Sequence, residues 1–496
     1  MKKILAILSL FLVFSSCGKL EDLNENTKDP ASVSGESLFT SAQKNLFDQM
    51  VSSNVNYNIF RLIDQYWTET TYTDESNYDL VTRTIPDDHW DVLYRDVIKD
   101  LVESKKVISG TTYLSTESPS VKRNKLAIVE IMTVYTYSVL VETFGDIPYS
   151  ESMDVNNPLP KYDDGLTIYK DLIARLNTAM DTLALDPSKG SFNDADNMYQ
   201  GNVTKWIKFA NSLKLRMGMV LSDINDASVE TLARTTVETA ALNAISSNSE
   251  NATLIYLGAS PNTNPIYTDL VASGRHDFVP TNTIVDMMNT LGDPRRPFYF
   301  TQIDTSTVSG IEKLAYVGGV NGASNDFYGY SHVADAIQEP TFEGMIFDYA
   351  EVEFLLANAV EKGYAVGGTA EDHYNKAITA SIQYWGGSDA EAATYLANPS
   401  VAYSTAAGTF REKIGTQMWL ALYNRGFEAW TEWRRFDYPQ LLAPVPDALS
   451  VVPLRLTYPI SEQTLNGANY AAASAKIGGD DVGTHLFWDI DQVPGK

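Results

Sequence analysis

The 496-residue chain carries 37 Lys and Arg against 63 Asp and Glu, a formal charge of −26. It therefore lacks the clustered positive charge with which nucleic-acid binders displace counterions. Hydrophobic residues at 44% and charged residues at 20% supply a large core and exclude a disordered chain, while the length outgrows one compact core and predicts two lobes or a helical superstructure.

Met1-Lys2-Lys3, an apolar run from Ile4 to Phe14 and Ser15-Ser16-Cys17 read as a secretory signal too short to span a bilayer. Cys17 is the only cysteine in the chain. Cleavage before it would make it the lipid-bearing first residue and leave neither a disulfide nor a catalytic thiol. Residues 1–16 are thus expected to be a lipoprotein signal peptide. Residues 17–36, polar and acidic, are expected to be a flexible tether.

Beyond Ser37, Leu38, Ala42, Leu46 and Met50 recur at helical spacing, and Ile59 to Trp67 continues the pattern. A polar, Tyr-rich stretch from Thr68 to His89 then precedes a helix marked by Trp90, Tyr94, Val97, Ile98, Leu101 and Val102. Lys122 to Thr143 is apolar on nearly every side, which places it at the centre of the fold. The run Leu126 to Val141 is interrupted by Glu130 and Thr133, as suits a buried helix rather than a membrane span. Ile168 to Leu183 and Trp206 to Val220 trace two more amphipathic helices. Residues 251–340 lose the 3.6 period among Gly, Pro, Asn, Thr and aromatics, and read as a loop-rich, ligand-facing region. Helices resume at Tyr349 to Ala359 and at Thr369 to Trp385, a succession the size of a tetratricopeptide unit. A last helix is expected from Phe410 to Arg434, with residues 441–496 irregular. The fold class is mostly α: helix pairs over residues 37–250 and 341–440 with one large loop-rich insertion.

No Gly-rich nucleotide loop or Gly-x-Ser-x-Gly elbow occurs. The histidines at 89, 276, 332, 373 and 485 are scattered singly, as befits surface or hydrogen-bonded residues rather than zinc ligands. No cofactor is called for. Asn193-Asp194-Ala195-Asp196-Asn197 alternates oxygen ligands of the kind that hold calcium, without the glycine and distant glutamate of the hand motif. Carboxylate pairs such as Asp87-Asp88, Asp163-Asp164 and Asp480-Asp481 keep a secreted glycoside hydrolase as an alternative.

Aromatic clusters carry more information. Tyr66, Trp67, Tyr72 and Tyr78 stand with Asn77 and Asp79 in a polar stretch. Tyr316, Phe327, Tyr328 and Tyr330 stand among Gly318, Gly319, Gly322 and Gly329. Exposed rings beside hydrogen-bonding groups suit a sugar, and equally a peptide. The candidate ligand-binding set is Trp67, Tyr72, Asn77, Tyr78, Tyr316, Phe327, Tyr328 and Tyr330. Trp67 either joins it or packs beneath the loops, and glycine-flanked Tyr328 is the better exposed candidate.

Several segments in order resemble one family. They are Cys17 with Asp22-Leu23-Asn24-Glu25-Asn26, Glu142-Thr143-Phe144-Gly145-Asp146-Ile147-Pro148-Tyr149, Lys205-Trp206-Ile207-Lys208-Phe209-Ala210-Asn211-Ser212-Leu213-Lys214-Leu215-Arg216, and Tyr349-Ala350-Glu351-Val352-Glu353-Phe354-Leu355-Leu356-Ala357. Glu432-Trp433-Arg434-Arg435 with Tyr438-Pro439, and Tyr458-Pro459, complete the set. Together they resemble the SusD/RagB outer-membrane lipoproteins of Bacteroidetes, especially the second SusD-like branch. The resemblance implies a scaffold of tetratricopeptide-like helix pairs anchored at the cell surface by an N-terminal lipid. It also implies non-catalytic capture of a nutrient, an oligosaccharide or alternatively a peptide, and partnership with a SusC-like TonB-dependent transporter. No family ligand residue transfers to this chain. Arg216, Arg434 and Arg435, beside aromatic and acidic residues, read as structural ties between helices.

Overall fold

The computed structural model describes residues 33–112, 119–305, 313–444 and 451–490. Cys17, the signal and most of the expected tether lie outside the described residues. Local chemistry sets most helix starts. The Ser34 hydroxyl accepts from Ser37 N at 3.0 Å and opens Gly35–Val51. Asp164, Asn202, Asp226 and Asp348 do the same for Gly165–Ala184, Val203–Val220, Ala227–Ala240 and Tyr349–Glu361. Thr369 and Ser388 form reciprocal capping boxes with Asp372 and Glu391. Each cap satisfies an amide that has no partner inside the helix and contributes about 1 kcal/mol.

Successive helices then pack in pairs, as their apolar stripes require: Pro119–Phe144 with Gly165–Ala184, Val203–Val220 with Ala227–Ala240, and Tyr349–Glu361 with Ala370–Tyr384. The architecture is the expected mostly helical scaffold, and the strands among the described residues form four short antiparallel pairs. Pro119–Phe144 is long and apolar enough to cross a membrane, yet most of it is packed inside the protein. Several of its buried polar groups are satisfied. The Thr133, Thr136 and Thr143 hydroxyls donate to carbonyls four residues back, and Glu142 accepts from the Tyr169 hydroxyl at 2.6 Å.

Buried arginines knit the helices together, as expected of Arg216, Arg434 and Arg435. Arg216 Nε donates to Glu351 at 2.6 Å, and Arg425 pairs with both Glu351 and Asp348. The Arg434 guanidinium lies 3.4 Å from the Trp430 ring centre and donates to the Glu142 and Leu454 carbonyls. Arg435 is paired with Glu432.

Three expectations of local structure need correction. The helix starting at Phe410 ends at Ala421, and a separate one runs Gly426–Phe436. Between them Asn424 takes a positive φ of 72°, and Gly426 lies so near the Phe60–Arg61 backbone that a Cβ there would stand 2.7 Å from Arg61 N. Inside the segment read as loop, Asn282–Leu291 is a helix burying Ile284, Val285 and Met288 and ending at left-handed Gly292. Its stripe is short and hidden among turn-forming neighbours. The C-terminal stretch likewise contains helices Ile460–Leu465 and Gly467–Lys476.

Candidate ligand-binding site

Two distant stretches meet through a strand pair. Trp67–Glu69 runs antiparallel to Phe278–Pro280, with Thr68 opposite Val279. The glycine-rich segment lies across this ribbon: Gly319 N donates to Pro280 O at 2.8 Å and Asn282 N to Gly319 O at 2.7 Å. Glycine is required for so close an approach, since a Cβ at Gly318 would stand 2.4 Å from Thr281 O. Asn325, nearly buried, accepts from Val320 N and donates from its side-chain amide to the Glu69, Val320 and Ala323 carbonyls. Its own amide reaches Thr70 O at 3.0 Å. Thr70 in turn holds the next turn, through its hydroxyl to His276 O at 2.6 Å.

An aromatic platform stands on that frame. The Phe327 ring is sandwiched between His276, at 4.2 Å and 8° between planes, and His332, at 3.9 Å and 13°. His332 Nε2 lies 2.9 Å from the Phe327 carbonyl, which only accepts, so this nitrogen carries the proton. Tyr328 meets His276 and Phe327 edge-on at 5.8 and 5.3 Å and remains 73% exposed. Tyr72, 74% exposed, projects from the neighbouring turn with φ of 56°. Arg275 flanks the platform, and pairing with Asp277 holds its guanidinium more firmly charged than usual. Fixed rings next to charged and amide groups offer flat apolar faces with hydrogen bonds at their edges.

The eight sequence candidates divide. Phe327 and Tyr328 belong to the platform, and Tyr72 stands exposed near it, close enough to Arg275 to act on its charge. Asn77 is half-buried and spends its side-chain amide on the Thr73 and Gly322 carbonyls, so it clamps the two loops together. Tyr330 is half-buried beside the platform segment. Trp67 and Tyr78 are corrected, because both are buried and present no face to a ligand. Trp67 donates Nε1–H to the Tyr423 hydroxyl at 2.8 Å beneath the Arg61 guanidinium. The Tyr78 hydroxyl accepts from Gln65, and burial raises its pKa. Tyr316 lines a separate cavity of about 740 Å³ together with Phe298, Phe342, Tyr384 and Trp385. The sequence reading missed His276, His332 and Trp385. Nothing in the spacing of two lone histidines 56 residues apart signals a shared stacking partner.

Several of the acidic residues noted in the sequence have structural tasks. Asp196 accepts from Gln43, Met198 N, Tyr199 N, Gly201 N and Trp206 Nε1, which engages both carboxylate oxygens of that residue of the calcium-like run. Asp87 accepts from Ile460 N and Ser461 N, Asp164 caps its helix, and Asp480 pairs with Arg455. Among the described residues no group of three or more His, Cys, Asp or Glu is placed to hold a metal ion. His89, His373 and His485 are engaged by Gln49, Glu353 and Asp489.

Residues 27–459 match a family model, SusD-like, described as starch-binding associating with outer membrane. The chain belongs to this SusD-like family. A solved chitin-binding protein is 25% identical with a TM-score of 0.79, over 92% of this chain and 100% of that one. A SusD homologue from Bacteroides uniformis is 27% identical with a TM-score of 0.77, over 92% and 99%. A chitin-binding SusD homologue from Flavobacterium johnsoniae, 24% identical with a TM-score of 0.76 over 91% and 99%, shares the fold. No curated protein matches the chain. For this SusD-like protein the matched span takes in both the helical scaffold and the platform.

Proposed function

We propose that the chain is a non-catalytic nutrient-binding lipoprotein of the outer membrane, which captures an oligosaccharide on the platform of Phe327, Tyr328 and His276, with Tyr72 near it. It passes the cargo intact to a SusC-like TonB-dependent transporter. The observation that carries this reading is the His276–Phe327–His332 stack with Tyr328 exposed at its edge. A pre-stacked platform loses little freedom on binding, so the C–H face of a pyranose docks on Tyr328 at low entropic cost. The family description and the chitin-binding neighbours support a glycan over a peptide. Cys17 carries the lipid that holds the protein at the cell surface.

Isothermal titration against neutral oligosaccharides and peptides tests the cargo, and co-purification from outer membranes tests the transporter. Saturable glycan binding without shortened products, lost in Tyr328→Ala, is expected. Peptide binding alone, or hydrolysis of the glycan, overturns the reading.

A further inference from the structure

We propose that the 740 Å³ cavity beside the platform is a second ligand site, which takes a positively charged amino sugar. The inference rests on the carbohydrate reading above in choosing a sugar, and on the cavity's own residues in choosing the charge.

The cavity lies between residues 297–302, residues 334–343 and the end of the helix Ala370–Tyr384. Its size falls within the roughly 300–1,000 Å³ of small-molecule pockets. It adjoins the platform without sharing its rings: Thr301 N donates to His332 O at 2.9 Å along the strip that separates them. Trp385 and Phe342, both half-buried, lie within 25° of parallel at 6.3 Å. Tyr299 and Tyr384 brace Trp385 edge-on at 4.7 and 5.4 Å. A braced indole face is a good platform for a pyranose ring and attracts a cation in front of it.

Charge sets the preference among sugars. Glu343 and Asp335 line the cavity, and no lysine or arginine among the described residues does. The Tyr384 hydroxyl donates to Glu343 Oε1 at 2.9 Å, which orients that carboxylate and leaves Oε2 without a partner among the described residues. The exposed Asp335 carboxylate pairs with no cation among them. Arg296 lies 5.5 Å from the Tyr316 ring without lining the cavity, and its Nε and Nη1 are directed to Asp293 O and Asn289 Oδ1. An oriented carboxylate with a second one at the wall, among aromatic faces and in a chain of net charge −26, favours an ammonium group and repels a uronate. Thr301 and Gln302 stand at the wall to hydrogen-bond sugar hydroxyls.

The full chain is titrated calorimetrically with tetramers of β-1,4-linked glucosamine, N-acetylglucosamine, glucose and galacturonate, and with tetralysine, below the pKa of the glucosamine amine. The glucosamine tetramer is expected to bind about tenfold tighter than its acetylated counterpart, and the galacturonate most weakly. Glu343→Gln, which keeps the side-chain shape, is expected to erase that preference, and Trp385→Ala to lower the affinity for the amine to that of the acetylated tetramer. Should Trp385→Ala misfold, Glu343→Gln decides alone. Equal affinity for amine and acetamide, an unaltered preference in Glu343→Gln, or tetralysine bound as tightly through Glu343, each overturns the proposal. Amine-selective binding with no neutral glycan bound would sink only the platform reading. Neutral-glycan binding through Tyr328 without amine preference would sink only this one.

Discussion

Tyr328→Ala separates a ligand-facing ring from a structural one. The ring is 73% exposed and meets His276 and Phe327 edge-on, so its loss removes little buried area. Edge contacts of this kind contribute about 0.5–1.5 kcal/mol each when buried, and less here, so stability is expected to change by under about 1 kcal/mol. Ligand affinity is expected to fall by about 1–3 kcal/mol, or roughly five- to 150-fold, as for an aromatic anchor desolvated on binding. Trp67→Ala gives the opposite pattern. That indole is 1% exposed and hydrogen-bonded to Tyr423, and its removal is expected to cost about 3–5 kcal/mol of stability. Urea denaturation and isothermal titration on the same preparations measure both quantities. An unchanged affinity in folded Tyr328→Ala refutes the platform. A weakened affinity in Trp67→Ala at full stability would place that ring in the site instead.

Other consequences are independent of the ligand. Glu351→Ala leaves the Arg216 and Arg425 guanidinium groups buried without their shared carboxylate, and a loss of about 3–5 kcal/mol in the urea midpoint analysis is expected. Asp196→Ala strips the acceptor from five donors and is expected to cost about 3 kcal/mol or more by the same measurement. Burial, with Glu75 alongside, pushes the Glu69 carboxyl beneath the platform up to about 8. The folded state therefore binds the proton more tightly than the unfolded chain, and this contribution is full below the ordinary Glu pKa and lost as pH rises through about 8. Thermal melts across pH 5–9 are expected to show a stability decline that Glu69→Gln flattens, and an equal decline in the variant would refute the assignment.

The long helices were legible because an amphipathic stripe depends on neighbours three and four positions away, whereas the short helices Asn282–Leu291 and Gly467–Lys476 were not. Ile168, Leu172, Leu176 and Leu183 announce their buried stripe in any context, and all four are buried in the folded protein. The all-round apolar character of residues 122–143 foretold a central helix for the same reason. Helix ends were less legible. The break between Ala421 and Gly426 depends on contact with Phe60 and Arg61, some 360 positions earlier in the chain.

Of the site, the residue types and the two segments could be read directly. Glycines at 318, 319 and 322 beside aromatics mark a loop that packs closely while carrying rings. Which rings face out could not be read. Trp67 and Tyr72 sit five positions apart in one polar stretch, yet Tyr423, 356 positions away, receives the first while the second stays exposed. His276 and His332 reach Phe327 only after residues 67–69 and 278–280 pair in register. Sequence alone determined a helical, acidic scaffold with aromatic loops, because periodicity and composition are local properties of the chain. Tertiary structure decided which of those aromatics became core and which became surface, because burial is set by partners that the chain brings together only on folding.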